Sequence, residues 1–439
     1  MEAAAQRATT AETSQPKEIS RGSMVIAAFS TIVEWYDFTL YLYFATVLSR
    51  VFFGGGDAAL MTTLAGFAVA YLMRPFGAVL FGHIGDRFGR RKMLLLSVAL
   101  MTFMMLSIGL LPTYAQAGAA SAWLLLLFRS VMAFSVGGEY SGVTAYLMEG
   151  ARPSRRGLIT SLASAASEIG ALLAVGVSAL TVALLDQASL DSWGWRIPFL
   201  VGAVLAGSVW LARSTMEESP EFEQQKRSGS VPSHPLRHIL VHHRGALYRA
   251  FAISALASVT YYVGIIYVPT YLTSAGTLNE ADALWLSTIA AVAVIAVTPL
   301  VGALTDHFGR KPVLIVLALS SIVLPLAMFP IMAGSSQPQV LAAAIVLACL
   351  AGGISAAGPV AIAEQFPGEG RLSGLAIGAT IATTIFGGLA PLVAQIVVER
   401  SASPIGPGAI IAVVAVFVLP MLLFFSETAP GKTQKPTLS

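Results

Sequence analysis

The chain writes one short phrase twice. It reads Gly82-His-Ile-Gly-Asp86-Arg87-Phe-Gly89-Arg90-Arg91-Lys92, and half a chain length later Gly302-Ala-Leu-Thr-Asp306-His307-Phe-Gly309-Arg310-Lys311. Each copy is polar and basic, and each lies between two long apolar runs. A phrase repeated at half the length of an apolar chain points to internal duplication, with two similar bundles each carrying one copy.

The 439 residues are 56% hydrophobic and only 11% charged, against about 25% charged in an ordinary soluble chain. Apolar stretches fall near 24–50, 60–83, 93–112, 121–148, 158–185, 195–212, 249–274, 283–304, 312–333, 339–366, 373–399 and 405–426. Each is long enough to cross about 30 Å of hydrocarbon. Helices are expected throughout, because a helix satisfies its own backbone polar groups in lipid. The expected fold is all-α and integral to the membrane, with twelve transmembrane helices in two pseudo-symmetric six-helix bundles. The expected division is a tail 1–23, a first bundle 24–212, a linker 213–248, a second bundle 249–426 and a tail 427–439.

Charge sets the expected orientation. With both ends inside, most of the 26 Lys and Arg fall on cytoplasmic segments, including Arg87 to Lys92, Arg152 to Arg156, the linker, and Arg310 with Lys311. This is the positive-inside pattern of an inner-membrane protein with cytoplasmic termini. The net charge of +3 then reflects topology and implies no nucleic-acid partner. The polar first 23 residues lack a charged start, apolar core and cleavage site, so the first helix is expected to insert uncleaved. Cys349 is the single cysteine, which rules out an internal disulfide and makes a metal cluster an unfavourable expectation. The linker histidines His234, His238, His242 and His243 invite a metal or pH-sensing reading, but their spacing equally suits a solvated helix under the membrane.

The positive-inside rule explains the basic residues of the repeated phrase. It does not explain the fixed glycines, the Asp, or the second copy. Glycines permit tight turns and close helix approach, and a carboxylate among guanidinium groups can pair across the bundles in one state and part in another. Gly82, Asp86, Arg87, Gly89, Arg90 and Arg91, echoed by Asp306, Gly309 and Arg310, are therefore the expected gate. The phrase resembles the cytoplasmic signature of the major facilitator superfamily. Further segments resemble one group within it: Glu34-Trp-Tyr-Asp37-Phe, Leu72-Met-Arg74-Pro75-Phe-Gly77, Phe134-Ser-Val-Gly-Gly-Glu139-Tyr, Trp193-Gly-Trp-Arg196-Ile-Pro-Phe and Glu217-Glu-Ser-Pro-Glu-Phe222. Together they are similar to the metabolite:H⁺ symporters, whose members carry α-ketoglutarate, citrate, shikimate, or proline and betaine. The resemblance implies alternating access driven by a proton gradient, with no cofactor. His307 stands where the first copy has Arg87, so a weaker or pH-sensitive second gate is expected.

Ionisable residues inside apolar spans are costly and mark function by default. Glu34 and Asp37 are three apart, share a helix face and cannot both ionise easily in a low-dielectric cavity. With Glu168 they are the candidate proton-coupling groups, against the alternative of a fixed ion pair with an arginine. Arg74 and Arg129 stay charged and suit carboxylate binding through paired hydrogen bonds. Glu139, Tyr261 and Tyr262 complete the candidate substrate contacts. The expected activity is proton-coupled uptake of a small organic acid by a monomer, with uptake of a zwitterionic osmolyte such as proline or betaine as the alternative. No nucleophile–base or metal constellation argues for an enzyme.

Overall fold

The computed structural model describes residues 19–430 and Lys432, apart from Gly56, 232–234, 275–277, Asn279, Ser335 and Ala402. Most of the two tails, and His234 in the linker, lie outside the described residues. Within them the chain is helical, and no strand is present. Eleven helices are long and apolar enough to cross a membrane. Arg21–Tyr43, continued by Ala45–Phe53, forms one more span, the first, in which Glu34 and Asp37 dilute the apolar character. This gives twelve spans.

Two spans break at positions that matter for the site. The first turns slightly at Phe44. The second is split into Asp57–Tyr71 and Arg74–Phe88, with Pro75 in the opening turn of the second piece, where its missing N–H costs nothing. The seventh and eleventh spans each contain a π-helical turn, at Tyr262–Ile266 and Thr384–Gly388, a local widening often found at functional sites.

The apolar cores follow the halves. One cluster gathers Tyr36, Phe52, Met105, Trp195 and Phe199 from the first half. Two others gather Leu314, Ile354 and Leu422, and Val263, Tyr267 and Phe329, from the second. The halves meet along two seams, the second span against the eleventh and the fifth (Arg156–Leu184) against the eighth (Glu280–Phe308). The outer surface is apolar, with Trp123 and Val204 each 71% and Phe417 78% exposed, as a lipid-facing bundle requires.

The linker does not begin where charge suggested. Arg213, expected in the linker, is in the last turn of the sixth span Arg196–Ser214 and is fully buried. Its guanidinium pairs with Glu139 and donates to the Leu94 carbonyl at 2.8 Å. Past it, Pro220–Ser228 and Pro235–His242 are short helices against the face that carries the repeated loops, called the loop face below. His238, His242 and His243 cluster there, with ring centroids 5.0 and 5.3 Å from His238. Among the described residues no group of His, Cys, Asp or Glu is arranged to hold a metal.

Candidate substrate cavity and gate

A cavity of about 180 Å³ lies between the halves near mid-span. The first half lines it with Glu34, Trp35, Tyr71, Arg74, Tyr140 and Glu168, the second with Ser258, Tyr261, Tyr262, Ser355, Thr380 and Thr383. Of the expected site residues, it therefore brings together Glu34, Arg74, Glu168, Tyr261 and Tyr262. Arg74 is the only cation in the wall among the described residues. Its guanidinium stands over the rings of Tyr71 and Phe38, at 4.7 and 5.2 Å. Glu34 Oε1 is 3.7 Å away, and Glu34 Oε2 is buried without a hydrogen-bond partner. Glu168 of the first half and Tyr261 of the second both line the cavity.

The cavity is covered on the side away from the loop face by an aromatic cluster. Phe38 and Tyr71 of the first half pack on Tyr261 and Tyr262 of the second, and the Tyr71 and Tyr262 hydroxyls meet at 3.0 Å. Trp35 lies edge-on to Tyr261 at 5.4 Å. Lower down, Ser164 donates to the Ser355 carbonyl at 2.9 Å, a further contact between halves.

Three expected site residues are elsewhere. Arg129 was expected at the substrate, yet it lines no part of the cavity. It holds both oxygens of Asp37 at 2.6 and 2.7 Å, and its guanidinium covers the Tyr41 ring at 4.7 Å. Asp37 is thereby withdrawn too. Glu139 is taken up by Arg213 and the Ser97 hydroxyl. Each is satisfied inside the first half by an opposite charge, the arrangement buried charges require.

The repeated phrase forms two matching latches at the loop face. Asp86 accepts the backbone N–H groups of Leu372 (3.2 Å) and Ser373 (2.8 Å) at the start of the eleventh span. Asp306 accepts those of Gly157 and Leu158, both at 2.8 Å, at the start of the fifth. Each aspartate thus caps a helix N-terminus of the other half, where unpaired N–H groups and the helix dipole attract an anion. Behind it, Arg90 bridges Asp86 and Glu149 at 3.3 and 3.0 Å, and Arg310 bridges Asp306 and Glu364 at 3.0 and 3.1 Å. Arg371 reaches across to Glu149 at 3.0 Å, and Arg156 to Glu364 at 3.7 Å.

The outer layer repeats as well. Glu218 accepts the N–H groups of Arg90 and Arg91 at 2.9 and 3.2 Å, and Glu427 those of Arg310 and Lys311 at 2.9 and 3.1 Å. Gly89 and Gly309, at φ 111° and 107°, make the turns that expose these donors. Burial pushes the Glu218 carboxyl up despite its N–H donors. At Glu427 burial is outweighed by the N–H groups of Ala429, Arg310, Lys311 and Thr428, which hold the carboxyl below its ordinary value. Gly82 fits flush against the eleventh span, since a Cβ there would lie 3.0 Å from Ser373 Cα.

Arg87 stays outside this arrangement. It is exposed, with its guanidinium over the Phe88 ring at 5.4 Å, and His307 is exposed at the matching position. The expectation of a weaker second gate through His307 therefore finds no contact in the latch. Sequence reasoning missed Glu149, Arg371 and Arg156 as members of this candidate gate, and quoted the segment Glu217–Phe222 without a role for Glu221, which pairs with Arg371. The signal of Glu149, Arg371 and Arg156 is faint: single charges at span ends look like topogenic residues until their partners are known.

Two quasi-equivalent membrane halves around a charged cavity, latched on one face and covered by aromatics toward the other, define a multi-pass membrane carrier. Residues 23–233 match the sugar (and other) transporter family, and residues 275–439 match the major facilitator superfamily. A glycine betaine/proline/ectoine/pipecolic acid transporter of Dickeya dadantii is 32% identical over 95% of this chain and 86% of its own length. A citrate-proton symporter of Klebsiella pneumoniae is 29% identical over 88% of this chain and 87% of its own. The fold is similar to that of the proton:xylose symporter XylE bound to 6-bromo-6-deoxy-D-glucose, with TM-score 0.77 at 20% identity over 93% of this chain and 96% of that one. The chain belongs to the major facilitator superfamily, in its sugar and metabolite:H⁺ symporter group. It is a transporter and not an enzyme.

Proposed function

We propose that this chain takes up a small zwitterion of the proline or betaine class together with protons, by alternating access across a bacterial inner membrane. The observation that carries this is the charge of the cavity wall: one arginine faces two carboxylates, Glu34 and Glu168, among aromatic rings. A zwitterion matches that wall. Its carboxylate suits Arg74, and its ammonium suits the faces of Trp35, Tyr71 and Tyr262 and the Glu168 carboxylate. A di- or tricarboxylate would bring several negative charges to a wall whose acids already outnumber its one cation. The organic-acid expectation assumed two arginine receptors, and Arg129 is held by Asp37. The relatives named for betaine and proline transport favour the same choice, while the citrate-proton symporter keeps the organic acid as the rival.

In this reading the loop face is cytoplasmic, following its basic residues. The cycle rocks the halves about the cavity, with the Asp86 and Asp306 latches closed as seen here and released to discharge substrate inward. The test is uptake into proteoliposomes under an inside-alkaline pH gradient. Protonophore-sensitive accumulation of labelled proline or betaine is expected. Accumulation of citrate or α-ketoglutarate without either zwitterion would refute the proposal.

A further inference from the structure

The two acids of the first span differ in a way that bears on coupling. Asp37 is locked, with both oxygens on Arg129 and away from the cavity. Glu34, one turn earlier, faces the cavity, and its tie to Arg74 is slack. At 3.7 Å the pair is beyond hydrogen-bonding distance, and Glu34 Oε2 is buried with no partner at all. Leaving a charged oxygen buried and unpaired is costly, so its place in the wall calls for something that comes and goes. Arg74 is equally uncommitted. Its side chain is 16% exposed, and ring faces rather than acids cover its flat sides.

We infer that Glu34 and the substrate carboxylate take turns on Arg74, and that this exchange ties one proton to each substrate. The inference rests on the reading above of a proton-coupled carrier of a carboxylate-bearing substrate. As substrate enters, its carboxylate forms two parallel hydrogen bonds with the Arg74 guanidinium. Glu34, left without a cation in a desolvated wall, takes a proton from cavity water onto Oε2, forming an O–H bond. When substrate leaves on the other side, Glu34 returns that proton to water and goes back to Arg74. No bond within the substrate changes, and Arg74 sees one carboxylate in both states.

The neighbouring charges allow this. Asp37 is neutralised by Arg129, and Glu139 by Arg213, so neither answers to the substrate. Tyr71, Tyr140 and Tyr262 present hydroxyls rather than charges, the first and third bonded to each other and Tyr140 to Ser164. Glu168 lines the same cavity from the fifth span. It is free to meet the ammonium end without touching the exchange.

Calorimetry of the purified full-length chain in two buffers of different ionisation heat counts the protons taken up per ligand. L-proline, glycine betaine and citrate are the probes. One proton per ligand is expected for the wild type. Glu34→Gln is expected to keep binding and lose the uptake, whereas Glu168→Gln is expected to weaken binding and keep it. Uptake that persists in Glu34→Gln, or that vanishes in Glu168→Gln instead, overturns the inference. Glu34-dependent uptake with citrate alone would refute the zwitterion reading yet uphold the exchange. A second measurement needs no ligand: Arg74→Gln should reveal the infrared band of a protonated buried carboxyl, absent from the Arg74→Gln/Glu34→Gln double variant. If no such band appears, the exchange is refuted.

Discussion

Asp86→Asn should open the loop face. The substitution preserves size and removes the charge from a latch residue whose side chain is fully buried. One amide oxygen must then serve two backbone donors, Leu372 and Ser373, that a carboxylate satisfies with one oxygen each. A hydrogen bond to a charged group contributes about 1.5–3 kcal/mol, and each 1.4 kcal/mol is about tenfold in an equilibrium. The closed state should therefore lose about ten- to a hundredfold against the open one. Arg90 softens the loss, because Glu149 still holds it. The assay uses a Cys349→Ser background with Ser258→Cys as a reporter in the cavity wall. A membrane-impermeant maleimide is applied to sealed vesicles from either face. Labelling from the loop face should accelerate by the factor above and slow from the other face. Asp306→Asn should act in the same direction but less, since that side chain is 9% exposed and water can take up a freed donor. Unchanged loop-face labelling in an Asp86→Asn protein that still binds substrate would refute the latch.

Gly82→Ala should open the same latch by steric means, because its Cβ meets Ser373 backbone at 3.0 Å and backbone cannot rotate away; the same labelling assay reads it. Arg129→Ala should destabilise the fold by about 3–5 kcal/mol, since it strands the buried Asp37 charge. The double variant with Asp37→Ala should recover most of that loss in thermal melts, whereas a direct substrate role would cost affinity without that rescue. Glu427 is held below the ordinary glutamate value, so the stability it adds is present above the unfolded-chain value and disappears as pH falls through its folded value. Wild type should melt above Glu427→Gln at neutral pH, with the gap closing on acidification; a gap that widens in acid would contradict the capping role.

The span pattern was legible because lipid permits so few solutions: apolar length sets the number of helices, and the repeated phrase sets the halves. Depth in the membrane was legible too, which is why Glu34, Arg74 and Glu168 were singled out. What hydropathy does not carry is the direction a side chain takes around its helix. Glu34 and Asp37 share a face by spacing, yet a small angular difference turns one to the cavity and the other to Arg129. Arg213 misled for a related reason. A cation at the end of an apolar run looks like an anchor at the membrane edge, and only its pairing with Glu139 makes it part of the interior. The latch partners were hidden by distance along the chain, since Asp86 acts on Leu372 and Ser373 in the other half.

The duplication also explains why the two latches need not work equally. Aspartate, bridging arginine, second acid and outer glutamate recur in both, so each half caps a helix of the other by the same chemistry. Among the described residues the first latch has one member without a counterpart: Glu221 of the linker helix Pro220–Ser228 pairs with Arg371. Its side chain is 32% exposed, a pair of modest strength by itself. Its consequence is positional, because it fastens the linker to the second half while Glu218, three residues earlier, holds the turn of the first. Opening at the second-against-eleventh seam must therefore displace the linker, while the charged contacts described across the other side join span ends, Asp306 to Gly157 and Leu158 and Arg156 to Glu364. The linker is thus fastened to both halves at one seam, and shortening or stiffening it should slow opening there more than at the other.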